Sequence, residues 1–528
     1  MKGHAHALRG FSFALFLLLV GAMLFQQAVL SGVNHDEQQF IAPPVLVAHD
    51  GAMPYRDFAL LHMPNLVFAY AFLDRLTPWH FLAARLFSAA CAWAIAALVF
   101  FSCHVLLAKF RAVPRFVLAA GFTLLLVCSS LWMHTAARAW NHSSALLPVV
   151  AAFTAFILAA RGEKPGGWLF ASGLCVGLAL GTRLTFAPVV APFGLAVLLL
   201  PHCTWQRRFA SAAWFSLGVF VAVLPAMYFL GAHHEQFLYG NVESQRLRLL
   251  DPSDERAHKT ITVWRKLRYF AKEIVRDDHP LFLAFFAVGV PGIVQHFRRT
   301  WSAGTKATAP WSGAILLTLL IPFLFAGAMA PTRFQPQHWF SLVPFLVIGA
   351  CFGLTQWKSP RDKAAVAFTT LLFIGGIALT FGESRTLARP RAFTQWVPVK
   401  AHRFGVEIAG LAARGKVLTL APLYPLEGGS TIYRELAVGP FAYRLAHLLP
   451  PGKRARVRVI APADLPALLK GERPSAILLG AEPDEQESAL REYASEHRFE
   501  RVRNFGRLHL WLPAPVSLLA SPEKPVPP

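Results

Sequence analysis

Acidic residues are scarce in this chain. It has 29 Asp+Glu in 528 residues against 51 Lys+Arg, and charged residues of both signs make up 15%, where soluble proteins carry about 25%. That shortage excludes an ordinary soluble protein of three or four domains. Cysteine is scarce too, and six residues over this length do not build a disulfide scaffold. The 55% hydrophobic content excludes intrinsic disorder. A nucleic-acid binder is the usual alternative for a formal charge of +22, but its basic residues would gather in a polar domain. Here many stand at the ends of apolar runs, so no nucleic-acid partner is expected.

What the chain does have is a series of apolar runs. A helix needs about 20 mostly apolar residues to cross roughly 30 Å of hydrocarbon. Candidate spans cover 11–30, 83–107, 116–132, 145–160, 168–181, 185–200, 211–230, 281–297, 311–330, 339–356 and 364–381. The expected fold is a polytopic α-helical membrane protein of about 11 spans. With the N-terminus in the cytoplasm, the inner loops hold 15 Lys and Arg, among them Lys109, Arg161, Arg207 and Arg299. The outer edges hold six: Arg56, Arg75, Arg85, Arg138, Arg183 and Arg333. The positive-inside rule therefore favours N-in, and an odd span count puts the C-terminus outside. Gln26-Gln27-Ala28-Val29 offers no small-x-small cleavage site, so the first span reads as a retained anchor. Cys91, Cys103, Cys128, Cys175 and Cys351 fall in spans, as small buried apolar residues.

Three outer segments interrupt the pattern and divide the chain. Residues 1–382 form the multi-span domain, with a first outer loop at 31–80 and a second at 231–280. In the second loop, 259–276 spaces Trp264, Leu267, Phe270 and Ile274 along one helical face among basic residues. This pattern fits a helix lying on lipid headgroups, or a solvated loop helix. From 383 to 513 helical and β-branched runs alternate, with strands expected at 416–420, 456–460, 476–480 and 508–512. A small extracytoplasmic α/β domain is expected there. Residues 514–528, with four Pro in the last nine, read as a disordered tail.

Asp36 and Glu37 emerge a few residues after the first span. Ionisable groups at a membrane boundary are functional candidates, although ordinary loops also contain Asp-Glu. Asp57 and His62 share that loop, and Arg85 opens the second span. Arg138 and Arg183 lie at outer edges, where each serves equally as an interfacial charge or as a phosphate ligand. Asn141 and His142 read as helix-capping residues. His233-His234 is not spaced as a zinc site, and no metal-ligand cluster is evident. A Gly-rich turn at 421–429 lacks both phosphate-loop signatures and reads as structural.

The stretch Asn34-His-Asp36-Glu37, the turn Gly51-Ala-Met-Pro-Tyr55-Arg-Asp57, His62-Met-Pro64 and Ala84-Arg85-Leu86-Phe87 together resemble membrane glycosyltransferases of the GT-C type. The resemblance is to the protein O-mannosyltransferase and aminoarabinose-transferase branch and its bacterial members. It covers the first 90 residues; beyond them it consists of the pattern of spans and an outer C-terminal domain. It implies a glycosyltransferase of the bacterial inner membrane that takes a sugar from a polyprenyl-phosphate carrier. The acceptor is a lipid, polysaccharide or protein hydroxyl, and attack inverts the anomeric centre. Asp36 is then the base, with Glu37 beside it for acceptor or metal, the two carboxylates raising one another's pKa. Arg85 pairs with the catalytic carboxylate or the donor phosphate. Asp57, His62, Arg138 and Arg183 join the substrate site, with Arg333 and His338 from a loop that resembles one near the lipid-linked sugar. A divalent cation, Mg or Mn, is neither required nor excluded. Some branches have Lys-Pro-Pro where this chain has His62-Met-Pro64, which leaves the sugar and acceptor unassigned.

Two other functions compete. A glycan polymerase or ligase would use a lipid pyrophosphate and rely on basic outer residues such as those in 246–276. A secondary transporter needs paired broken helices and mid-membrane charges, which this sequence does not display.

Overall fold

The structure is a computed structural model describing residues 2–162, 165–200, 204–251, 262–302, 309–332, 335–357, 392–412 and 415–514. The apolar runs form helices because, in hydrocarbon, only intrahelical bonds satisfy the backbone. The first helices are α1 (Lys2–Leu30), α2 (Gln38–Asp50), α3 (Asn65–Asp74), α4 (His80–Leu106), α5 (Ala112–Val127) and α6 (Ser130–Thr135). Then come α7 (Asn141–Arg161), α8 (Gly166–Thr182), α9 (Val190–Leu198), α10 (Trp205–Ala232), α11 (His234–Leu238) and α12 (Ser244–Leu250). Further long helices cover His279–Trp301, Ser312–Met329 and Pro336–Thr355.

Among the described residues, seven helices are long and apolar enough to cross a membrane, and four shorter apolar helices accompany them. The chain is an integral membrane protein. Ten of the expected spans coincide with these helices, and the eleventh, 364–381, lies outside the described residues. The count of eleven full spans is not reproduced. The 16 residues of α5 and the 17 of α8 reach only about 24–26 Å at 1.5 Å per residue. Large apolar side chains on α10, such as Phe220, Leu224 and Tyr228, are exposed, as a lipid-facing surface requires.

The basic loops converge at one end of the bundle. There Lys109 Nζ donates to the carbonyls of Thr355 and Trp357, and Arg299 to that of Gln356. At the other end the segment 31–80 meets the C-terminal domain, where the Leu423 N–H donates to Gln38 Oε1 at 3.3 Å. Glu427 of that domain accepts the backbone N–H of Phe81 at 2.9 Å, closing the N-terminus of α4, which no local side chain caps.

The C-terminal domain carries a five-stranded sheet of order β2-β1-β3-β5-β4, with β1 (Lys416–Thr419), β2 (Thr431–Ile432), β3 (Ala476–Leu479), β4 (Phe499–Phe505) and β5 (Leu508–Pro513). β2, β1 and β3 are parallel, and β5 and β4 form an antiparallel hairpin. The strand expected at 456–460 is absent because Arg458 adopts φ +59°, a left-handed conformation that extended backbone cannot contain. The exposed, charged β4 was not expected. The tail 515–528 lies outside the described residues.

The basic helix of the second loop is seen from 262; residues 259–261 of that expectation lie outside the described residues. It docks onto the bundle rather than lying along lipid for its whole length. The Phe270 ring is 4.3 Å from Trp339 and 5.3 Å from Phe325, and Ile274 is buried, while Trp264 is 74% exposed.

Close helix packing depends on small residues at four-residue spacing. Gly173, Gly177 and Gly181 line one side of α8. A Cβ at Gly173 would stand 1.9 Å from the Phe215 carbonyl oxygen of α10, and one at Gly218 would stand 2.2 Å from that of Phe170. Gly173→Val should therefore force α8 and α10 apart, costing about 1–3 kcal/mol by overpacking. A fall in the melting temperature of the detergent-solubilised protein checks it, against an unchanged value for Gly167→Ala, whose Cβ meets open space.

Candidate active site

The site begins with a short 3-10 turn, His35–Glu37, directly after α1. Asn34 caps it: its side chain accepts the Asp36 N–H at 2.9 Å, and Glu37 Oε2 accepts the Asn34 N–H at 2.8 Å. This reciprocal pair sets the directions of the two neighbouring carboxylates. Glu37 turns inward and Asp36 turns toward a cavity of about 410 Å³.

Glu37 is fully buried and meets Arg85, itself fully buried, in a two-pronged ion pair. Arg85 Nε lies 2.8 Å from Glu37 Oε1, and Nη2 lies 2.7 Å from Oε2. Glu37 Oε1 also accepts the Ala139 N–H at 2.9 Å. The remaining Arg85 N–H groups go to the carbonyls of Ala28, Ser31 and Gly32 at 2.9, 2.6 and 2.8 Å. All five guanidinium donors are used, and the Phe81 ring packs on the cation at 4.3 Å. Burial pushes the Glu37 carboxyl up, but the Arg85 charge and hydrogen bonds, with the Asn34 and Ala139 N–H groups, outweigh it and hold the group below the usual range.

This geometry corrects three expectations. Glu37 does not stand in the cavity for acceptor or metal, because its oxygens are consumed inside the protein. Arg85 pairs with a carboxylate, as one of its implied roles had it, but has no donor left for a lipid phosphate. Nor does the pair raise the Glu37 pKa, because the Arg85 charge and hydrogen bonds hold it down.

Asp57 is also displaced from the substrate role. Its Oδ2 accepts the Met53 N–H at 2.8 Å and pairs with Arg56 at 2.7 Å, closing the 53–58 turn. Hydrogen bonding from Arg56 holds the Asp57 carboxyl down. Within this turn Tyr55 takes φ +64°, a strained conformation for a non-glycine residue. Its hydroxyl donates to the His62 carbonyl and accepts from Asn241 Nδ2 at 3.2 Å. That contact fastens the loop to the π-helical turn Tyr239–Glu243, where a Cβ on Gly240 would lie 1.9 Å from the Leu60 oxygen. Arg138 does not line the cavity either. Its Nε donates to the His134 carbonyl at 2.8 Å and its guanidinium lies over Trp140. Arg333 lies outside the described residues.

Asp36, His62, Arg183 and His338 do meet in one cavity. His62 stacks on Phe40 and lies 2.8 Å from Gln39 Oε1. Burial, then Arg183 and Arg248, push its pKa down to about 3, so the neutral ring donates Nε2–H to Gln39. Arg183 Nε donates to Thr185 Oγ1 at 2.9 Å and Nη1 to Asn141 Oδ1 at 3.4 Å, both uncharged partners.

Several lining residues were not foreseen. Arg246 and Arg248 come from α12, Phe441 and Arg444 from the C-terminal domain, Asn141 and His142 from the start of α7, and Gln335 and Gln337 from the turn before the last long helix. They come from segments far apart in sequence, and only the density of Arg in 246–248 hinted at them. Among the lining residues four arginines face one carboxylate, Asp36. The carboxylate of Asp36 makes no ion pair or hydrogen bond among the described residues. No group of three His, Cys, Asp or Glu that could hold a metal ion occurs among them. The arrangement suits an anionic ligand with a hydroxyl to deprotonate.

Two outcomes are expected. Glu37→Gln should destabilise the protein by roughly 3–5 kcal/mol, because Arg85 is left buried without its counter-charge; a thermal melt of the solubilised protein checks it. For His62, burial disfavours the cation, so the folded pKa lies below the unfolded one. Its stabilising effect is present above about pH 6.5 and is lost as the pH falls toward 3. From pH 5 to 8 the ring stays neutral, and His62→Gln should leave the pH midpoint of any activity unchanged, which a pH–rate profile measures.

No family model and no curated protein matches this chain. Solved structures do. ArnT from Cupriavidus metallidurans bound to undecaprenyl phosphate superposes with a TM-score of 0.57 at 15% identity, covering 96% of this chain and 98% of that one. The apo form of the same protein gives 0.58 at 16% identity over the same shares. The chain thus shares the fold of ArnT over nearly its whole length.

Proposed function

We propose that this protein is an inverting glycosyltransferase that moves a sugar from a polyprenyl-phosphate carrier to an acceptor hydroxyl. The observation that carries the proposal is the composition of the cavity: four arginines and one carboxylate, Asp36, which makes no ion pair or hydrogen bond among the described residues. Asp36 takes the proton of the acceptor hydroxyl as its oxygen attacks the anomeric carbon from the face opposite the phosphate. The C–O bond to phosphate breaks, and the lipid phosphate leaves with the bonding electrons. A phosphodiester-linked group is a weak base when expelled and needs no general acid. It needs cations for the charge growing on its oxygens, a role that suits Arg183, Arg246, Arg248 and Arg444. The shared fold supports this reading, as does the undecaprenyl phosphate held by the ArnT structure.

Catalysis is placed on the outer face of a bacterial inner membrane. Support comes from the Lys/Arg bias of the opposite loops and from the packing of the first outer loop against the C-terminal domain. Acceptors in this reading are lipid, polysaccharide or protein hydroxyls, and Phe441 and Arg444 give the C-terminal domain a part in choosing among them.

The four arginines also favour a second reading, a lipid pyrophosphate donor, as a glycan polymerase or ligase would use. Competition assays with polyprenyl monophosphate and pyrophosphate sugars separate the two, the tighter donor deciding. For both, Asp36→Asn should lower transfer by at least about 10²-fold, the lower end of a general base's contribution, with membrane insertion intact. Radiolabelled sugar transfer in membranes measures this, and wild-type rates in the variant would remove Asp36 from the mechanism.

A further inference from the structure

His142 has no place in the chemistry above, yet its position is costly. The residue is 8% exposed, and neither ring nitrogen has a hydrogen-bond partner among the described residues. A buried polar group left unsatisfied costs about 1–3 kcal/mol, and such groups are rare in native proteins. The ring is held in place by Trp140, with centroids 5.2 Å apart, and by Phe340 at 6.5 Å. It lines both the main cavity and a narrow cleft that shares His142, Arg183, Thr185, Gln337 and His338 with it. The cleft has about 10 Å³ of room, enough for about one oxygen atom.

His142 is also the second residue of α7, a helix of 21 residues. Its N-cap, Trp140, supplies no side-chain hydrogen bond. The first N–H groups of a helix have no intrahelical acceptor, and the helix dipole places partial positive charge there. Arg183 is tied to the first residue of the same turn, Asn141, at 3.4 Å. A helix start whose N-cap side chain makes no hydrogen bond, an imidazole whose nitrogens have no hydrogen-bond partner among the described residues, and an arginine whose hydrogen bonds go to neutral groups converge on one point.

The geometry points to a phosphoryl subsite at the start of α7, in which His142 donates a ring N–H to a phosphate oxygen lodged in the cleft beside Arg183. This deepens the proposed function and rests on it for the source of the phosphate: His142 and the α7 N-terminus bind the carrier headgroup, while Asp36 acts on the acceptor. A neutral imidazole has one N–H to donate, and Arg183 and the helix end supply the positive charge.

The test uses full-length protein in nanodiscs and reads binding without turnover. His142→Phe keeps an aromatic ring but removes both nitrogens, and His142→Gln restores a donor. With polyprenyl phosphate as the probe, His142→Phe should weaken binding about tenfold and His142→Gln should recover most of the loss. Polyprenol, which lacks the phosphate, should bind all three proteins alike. In the wild-type protein, polyprenyl phosphate should protect His142 from carbethoxylation by diethyl pyrocarbonate, followed by peptide mass spectrometry. This arm stands even if His142→Phe does not fold. Protection by millimolar inorganic phosphate as well would mean that the subsite takes the free anion; protection by the lipid alone would mean that it takes only the carrier. Equal binding by wild type and His142→Phe, or equal modification with and without either phosphate, would overturn the proposal. Failure here is distinct from failure of the transferase reading, since Asp36→Asn should bind polyprenyl phosphate normally while losing transfer.

Discussion

A single buried ion pair organises the end of this molecule that carries the C-terminal domain. Glu37 and Arg85 are both withdrawn from solvent, yet every guanidinium donor is used and the carboxylate accepts four hydrogen bonds. Taking two charges out of water is expensive, and only such complete pairing recovers the cost. The pair joins four segments: the C-terminal end of α1, the turn after it, the second turn of α4 and the loop before α7. Because that turn is fixed, the carboxylate next to Glu37 has only one place to go. Asp36 is a cavity residue because Glu37 is not.

Adjacent acids thus divide into two jobs, one holding the fold and one facing the cavity. The same division recurs around the cavity. Tyr55 and Asp57 hold the first loop, whereas His62 from that loop reaches the cavity wall. Glu427 closes the start of α4, whereas Phe441 and Arg444 from its domain reach the wall. Groups with complete hydrogen-bonding sets position the site, and those left incomplete, Asp36 and His142 among them, face the space where a ligand would sit. Charge follows the same logic. Four arginines share one pocket with a single carboxylate, an arrangement that suits an anionic ligand.

Much of this was legible in the sequence. The apolar runs located the membrane helices, since hydrocarbon leaves the backbone no alternative. Asp36 is a candidate from its place directly after a span, a weak signal because ordinary loops also contain Asp-Glu, and its role as base comes from the GT-C resemblance. Glu37 looked equivalent to it, and nothing local reveals that Arg85, 48 positions on, takes its charge. Arg183 and His338 were weak candidates singly, and only the fold brings them beside residues from α12 and the C-terminal domain. His142 reads as a cap because it stands at a helix start, and sequence does not show that its ring nitrogens have no hydrogen-bond partner among the described residues. In the C-terminal domain, β1, β3 and β5 are apolar and were foreseen. β4 is charged and exposed, and its strand character comes from pairing with β5 rather than from its own pattern.

The most direct measurement is a cryo-electron microscopy structure of the full-length protein in nanodiscs with a non-transferable polyprenyl-phosphate sugar analogue. The account predicts the headgroup inside the cavity, its phosphate beside Arg183 and its anomeric carbon facing Asp36, with Glu37 still locked to Arg85. A headgroup bound outside this cavity, or a Glu37 carboxylate released from Arg85 to meet the sugar, would contradict it.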